Sequence, residues 1–268
     1  GETSELVVGK SLDFIRQAVE RDQPFLAVIW FPSPHGPYRA ADRYRAPYEH
    51  IKDEVRHGPV ADYYGELAAV DAAMGHLRNE LRSLGIAQDT LLWFCSDNGA
   101  WRGIAQYDST GGLSGRKGQL KEGGIRVPGI LEWPGRIQEP FRTSIPAGTV
   151  DFYPTLLDLL GIEMADEVGP IDGVSLVPLI DGKMGSRPSP LAFEQRNLKG
   201  KVKSAALIDG DHKLLLEGSN TALFDLGEDP QEKNDLSGRK TARFKHMREQ
   251  LTKWERSVAK DIATYEPE

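Results

Sequence analysis

Asp97 and Asn98 stand side by side at the end of an apolar run, residues 90–95, with Gly99 behind them. A carboxylate and an amide carbonyl are hard oxygen donors, the kind that calcium or magnesium takes. The same tetrapeptide, Ser96-Asp97-Asn98-Gly99, is also good turn chemistry with no metal at all. His35 follows a second apolar run, residues 25–31, and sits in Pro32-Ser33-Pro34-His35-Gly36-Pro37. Prolines fix the backbone, and a histidine held in such a loop can donate to an anion or move a proton. A loop histidine with no task fits the same residues. The third feature runs from Gly111 to Gly124 and contains Gly112, Gly115, Arg116, Lys117 and Gly118. Glycines expose backbone N–H groups and let an anion approach, and Arg116 and Lys117 add charge; a flexible surface loop is the alternative. It is not a Walker A loop, because Arg116 precedes Lys117 and Gly118 follows it. Together the three features describe a cation-assisted oxyanion site. Asn98 narrows the metal: a dinuclear zinc centre wants imidazole nitrogen at such a turn, so one hard cation is the simpler expectation.

The elements that must position these residues can be read from periodicity. Leu12, Ile15 and Val19 predict a short helix over 12–20, and Leu67, Val70, Met74, Leu77, Leu81 and Leu84 a long one over 67–84, with Gly85 just beyond its end. The run 25–31 reads as a strand buried on both faces, 90–95 as a second, and 125–133 as a third, broken near Pro128. Asp151 precedes a helix over 152–160 that Gly161 stops, and reads as its cap. This alternation predicts an α/β domain around a mostly parallel sheet flanked by helices. In open sheets of this kind ligands bind beyond the carboxyl ends of the strands, where His35 and the Asp97–Asn98 pair fall. After Gly182 the texture changes to short strands over 191–194, 204–208, 213–216 and 223–226, with Asp209-Gly210 as a hairpin turn. An amphipathic helix over 239–259 closes them. The expected division is 1–185, the α/β core, and 186–268, a small antiparallel sheet with a closing helix.

Composition sets the outer bounds. The chain has 268 residues, 39% hydrophobic, enough for a real core, and a net charge of −7. Such a surface does not attract nucleic acid or anionic membranes over its whole area, so an anionic ligand needs a local cluster of donors. No apolar run approaches the roughly 20 residues that span a bilayer, and Gly1 leads straight into a polar, helix-like stretch rather than a secretory leader. The single cysteine, Cys95, allows no internal disulfide and no thiolate zinc cluster. Its place in an apolar run suits a buried, inert thiol.

The residues resemble a type I sulfatase of the alkaline phosphatase superfamily, in that family's order along nearly the whole chain. Pro24-Phe25-Leu26 leading to Pro34-His35-Gly36-Pro37 matches one motif, and Asp89-Thr90-Leu91 leading to Ser96-Asp97-Asn98-Gly99 a second. Lys117-Gly118 through Glu122-Gly123-Gly124-Ile125-Arg126-Val127-Pro128-Gly129 is the most specific match; Asp151-Phe152-Tyr153-Pro154-Thr155, Asp172-Gly173 and Leu223-Phe224-Asp225-Leu226 with Asp229-Pro230 continue it. The resemblance implies an alkaline-phosphatase-like fold and hydrolysis of a sulfate ester, a carbohydrate sulfate by family habit, in a periplasmic or extracellular setting. It implies Asp97 and Asn98 as ligands of one calcium ion, Lys117 as the lysine on the sulfate, and His35 as a candidate general acid on the ester side. Glu122 and Arg126 read as structural partners, and Arg102 as a solvated arginine.

The departures carry as much weight. Sulfatases attack sulfur with a formylglycine made from Cys or Ser in a Cys/Ser-x-Pro-x-Arg motif. Cys95 is followed by Ser96-Asp97, and no serine here begins that motif. The paired aspartates that complete the calcium site are absent too. These belong to the family's amino-terminal half, so the expected chain is a carboxyl-terminal portion with an incomplete calcium site and no turnover alone. An uncovered sheet edge would then invite self-association. Two alternatives stay open: a phosphatase or phosphodiesterase relative, and a non-catalytic sulfated-glycan binder or assembly subunit.

Overall fold

A computed structural model describes residues 2–165 and 170–264. Its chain forms two compact units, Gly1–Phe94 with Ile130–Gln138, and Cys95–Gly129 with Glu139–Glu268.

In the first unit, helix α1 (Thr3–Glu20) packs on helix α3 (Val60–Ser83). Val8, Leu12 and Ile15 recur at helical spacing on α1 and meet Ala73, Leu77 and Leu81 of α3. Each such side chain contributes about 1.5–3 kcal/mol by leaving water. Both helices begin well before the predicted starts. In α1 the stripe continues back to Val8 across Gly9 and Lys10, which hide it in the sequence. Pro59 supplies an extended entry to α3, and Gly85, at φ +74°, follows its end as expected. Helix α2 (Asp42–Arg45) and the short pair β1 (Glu54–Val55) and β2 (Gly58–Pro59) lie between α1 and α3. Strand β3 (Leu92–Cys95) pairs with β4 (Gly129–Glu132) in a two-stranded sheet. The expected third strand is therefore shorter, because residues 122–125 coil as a helical turn and Pro128 follows.

The run 25–31 departs from expectation. Its burial alternates with the period of an extended chain. Phe25, Ile29 and Phe31 pack on the helical core, while Leu26, Val28 and Trp30 are 67%, 71% and 84% exposed. It is not buried on both faces, and among the described residues no strand pairs with it.

The second unit holds the small helices α4 (Arg102–Ile104) and α5 (Glu122–Ile125), then α6 (Phe152–Leu160) and α7 (Val177–Ile180). Gly161, at φ +63°, ends α6 in the left-handed conformation. Asp151 does not cap α6. Its buried carboxylate accepts the Gly148 and Val174 amides, both at 2.8 Å, and a two-pronged pair from Arg187 at 2.7 and 2.8 Å. The antiparallel sheet follows in sequence order: β5 (Leu191–Arg196), β6 (Val202–Asp209), β7 (His212–Glu217) and β8 (Asn220–Asp225). Gly210 turns the β6–β7 hairpin at φ +59°. Helix α8 (Thr241–Thr264) covers one face, where Leu207, Leu214 and Leu223 meet Met247 and Leu251. The other face presents Ala206, Leu215 and Phe224 to Leu120 and Ile125. Among the described residues no helix is long and apolar enough to cross a membrane.

Candidate functional site

Three of the four residues singled out in the sequence lie in the second unit, on two segments tied together by backbone bonds. β3 ends at Cys95, and the chain turns at once. The Ser96 hydroxyl donates to the Asn98 carbonyl at 3.2 Å, and the Asn98 side-chain nitrogen donates to the Gly99 carbonyl at 3.2 Å. That leaves the Asn98 side-chain oxygen as its acceptor end, next to the exposed Asp97 carboxylate. The Gly99 amide donates to Gly124 O at 2.9 Å, and the Lys117 amide to Ala100 O at 2.9 Å. The Asp97–Asn98 turn and the Lys117 loop are thus one hydrogen-bonded piece.

Glycine makes that piece possible. A Cβ on Gly99 would stand 1.9 Å from the Gly123 carbonyl oxygen, and one on Gly124 would stand 2.1 Å from that of Gln119. No side chain fits at either contact, and the obstructing atoms are backbone, which cannot swing aside.

The sheet holds this loop from beneath. Lys213 of β7, fully buried, places its ammonium 2.8 Å from Glu122 Oε1 and 2.9 Å from Glu232 Oε1. The other Glu232 oxygen accepts from the Glu122 amide at 2.8 Å and from the Ser114 hydroxyl. Arg126 lies 3.8 Å from Glu122, as the pairing expectation had it, and Gln195 of β5 donates to Gly118 O at 3.0 Å. Lys213 and Glu232 escaped the sequence reading. The available signal was a lysine in register with Leu215 on one face of a strand, where an apolar residue is expected.

His35 belongs to the first unit. Its Nδ1 is 2.9 Å from Gly36 O. A carbonyl only accepts, so Nδ1 carries the proton there, and Nε2 is the nitrogen left for other work. Cis peptide bonds precede Pro34 and Pro37, and the His57 ring packs so closely on Gly36 that a Cβ would come within 2.5 Å of it. Downstream, three successive amides meet three buried carboxylates: Arg39 N to Glu66 at 2.7 Å, Ala40 N to Asp62 at 2.9 Å and Ala41 N to Glu2 at 3.2 Å. Burial pushes the Glu66 carboxyl above its usual range; the Arg39 amide pulls it back, and the charges of Glu2 and Asp62 push it further up.

Asp97 and Asn98 fit a hard cation in kind, since both offer oxygen. They fall short in number, because calcium takes six to eight oxygens. Among the described residues no three His, Cys, Asp or Glu side chains gather to hold a metal. Cys95 is half-buried, and burial, helped by the Asp97 charge, raises its pKa. A thiol held in its protonated form is a poor nucleophile.

Residues 2–162, more than half of the chain, match the sulfatase family model. The chain belongs to the sulfatase family. Residues 116–257 match the model of the C-terminal part of N-sulphoglucosamine sulphohydrolase, so the sulfatase portion present includes the carboxyl-terminal part. Human steryl-sulfatase is 33% identical over 187 residues, 68% of this chain and 30% of that protein. Human arylsulfatase A is 31% identical over 253 residues, 84% of this chain and 47% of that protein. The crystal structure of Ps i-CgsB, also solved in complex with k-i-k-neocarrahexaose, matches with a TM-score of 0.83 at 28% identity. That match covers 94% of this chain and 54% of that one. This sulfatase chain therefore spans about half or less of those three proteins' lengths. Its fold is the α/β, alkaline-phosphatase-like fold of Ps i-CgsB, and it ends in the antiparallel sheet with its closing helix.

Proposed function

We propose that this chain supplies the calcium turn and the proton-handling side chains of a sulfuric ester hydrolase, and that it does not turn over substrate by itself. The observation that carries this reading is the backbone bonding of the Asp97–Asn98 turn to the Lys117 loop, through glycines with no room for a side chain. Hydrolysis of a sulfate monoester breaks the sulfur–oxygen bond to the alcohol; water supplies the new sulfate oxygen, and the departing alkoxide takes up a proton. Asp97 and Asn98 would hold calcium in part, and the bound ion would supply positive charge against the charge on the sulfate oxygens. Lys117 hydrogen-bonds the sulfate, offsets the charge on its oxygens and helps to protonate the leaving oxygen. His35, with Nδ1 committed to Gly36, offers Nε2 for the proton that the alcohol needs.

The attacking group is not among these residues. No Cys/Ser-x-Pro-x-Arg motif occurs in the chain, and burial, with the Asp97 charge, raises the pKa of the one thiol, Cys95. In this reading formylglycine comes from outside the 268 residues. The substrate class is a carbohydrate sulfate, supported by the neocarrahexaose complex of Ps i-CgsB. Two measurements on the purified chain test the proposal. With calcium present, an aryl sulfate should be hydrolysed no faster than in buffer. Inorganic sulfate, followed by calorimetry, should bind weakly and lose about tenfold in affinity in Lys117→Ala, the cost of one charge-assisted hydrogen bond. Turnover by the chain alone, or sulfate binding indifferent to Lys117→Ala, would contradict it.

A further inference from the structure

We infer that Lys213 and Glu232, from the C-terminal sheet and the loop after it, are positioning residues for Lys117. The inference rests on the proposed role of Lys117 in holding sulfate, and it gives the C-terminal sheet a part in the site rather than a purely structural one.

The geometry points to Glu232 first. One of its oxygens accepts from both the Ser114 hydroxyl and the Glu122 amide. Ser114 and Glu122 are the two ends of the segment that carries Lys117, so a single carboxylate closes that loop at both ends. The closure is reinforced by the Gly123 amide, which donates to Ser114 O at 2.6 Å. Glu232 reaches this place with its backbone at φ +54°, a conformation that costs a non-glycine residue about 1 kcal/mol or more. The surrounding contacts hold it there.

Lys213 fixes the carboxylate in turn. Its ammonium stands between Glu232 and Glu122 and touches both. Two buried carboxylates with no cation between them would repel one another, and the more exposed Arg126, 3.8 Å from Glu122, is no substitute. A buried ion cluster is weak evidence for stability, since well-packed apolar side chains serve as well or better. What charge adds here is direction. Leu215 lies on the same face of β7 and packs on Leu120 inside the loop, so an apolar residue at 213 would fill space. Only a cation at that position holds Glu232 turned toward Ser114 and Glu122. The chain of contacts runs from β7 through Lys213 and Glu232 to the ends of the loop, then through the Lys117 amide to Ala100, two residues past Asn98. The Lys117 side chain takes no part in it.

Hydrogen–deuterium exchange on the full chain tests this, read by mass spectrometry beside sulfate calorimetry. The variants are Lys213→Met, Glu232→Ala and, as a control, Lys117→Ala. Glu232→Ala leaves Lys213 paired with Glu122 and carries the test should Lys213→Met fail to fold. In both positioning variants, peptides over 97–104 and 114–126 should exchange at least tenfold faster. Peptides over 203–209 and within α8 should stay within about twofold, because opening is confined to the loop. Lys117→Ala should leave exchange unchanged. Affinity for inorganic sulfate should fall about tenfold in all three. A uniform rise across the second unit would mean a structural role only and overturn the inference. So would unchanged exchange over 114–126, with the sulfate reading of Lys117 left standing. Absence of sulfate binding in the unmodified chain, with the local exchange pattern intact, would instead sink the sulfate reading and keep the loop-positioning role.

Discussion

Replacing Arg187 with methionine should lower the stability of the second unit by about 3–5 kcal/mol, the range for breaking one partner out of a buried ion pair. The two side chains are 3% and 0% exposed, and the guanidinium meets the Asp151 carboxylate with both prongs, at 2.7 and 2.8 Å. Methionine fills much of the space but leaves Asp151 charged, buried and short of two of its four hydrogen bonds. The Gly148 and Val174 amides remain, and they do not neutralise the charge. Urea unfolding followed by circular dichroism reads the loss as a lower midpoint with an unchanged slope. A change below about 1 kcal/mol would mean that water reaches the carboxylate and that the pair is not closed as described.

Gly124→Ala should cost about 3 kcal/mol, the upper end of the range for overpacking, and fall on the site itself. The new methyl group would stand 2.1 Å from the Gln119 carbonyl oxygen and 2.6 Å from that of Arg116. Both belong to the backbone beside Lys117. Relief requires moving the loop, and Gly124 O is also the acceptor that holds Gly99. Thermal unfolding should show a drop of roughly 6–12 °C. Gly85→Ala is a useful contrast: nothing lies within 4 Å of its missing Cβ, so it carries only the strain of its positive φ. If Gly124→Ala melted no lower than Gly85→Ala, the close approach of the two segments would be wrong.

Much of this architecture is legible in the sequence because it depends on neighbours in the chain. The Val70, Leu77 and Leu81 part of the α3 stripe, the turn after β3 and the glycine that ends α6 are local patterns that appear where their residues place them, whereas Leu67, predicted on the same stripe, is exposed. The C-terminal strands are equally local, alternating between the α8 face and the Leu120 face. What the sequence hides are contacts between distant positions. Lys213 reads as an ordinary strand lysine until Glu122, 91 residues away, is found against it. Asp151 reads as a helix cap until Arg187 claims its carboxylate. The run 25–31 has the composition of a doubly buried strand, but composition does not say whether a neighbour is there to cover Leu26, Val28 and Trp30. Of the candidate site, the order of the residues is in the sequence. The backbone bonds that join Gly99 and Ala100 to the Lys117 loop are not.

Calcium titration of the purified chain, followed by isothermal calorimetry with Asp97→Ala and Asn98→Ala beside it, tests the central claim most directly. Two oxygen donors from one turn, well short of the usual six to eight, should give weak binding at one site. Either substitution should abolish it, while magnesium, which demands near-ideal octahedral geometry, should bind more weakly still. Calcium binding that survives both substitutions, or no calcium binding by the unmodified chain at millimolar ion, would contradict the assignment of the Asp97–Asn98 turn.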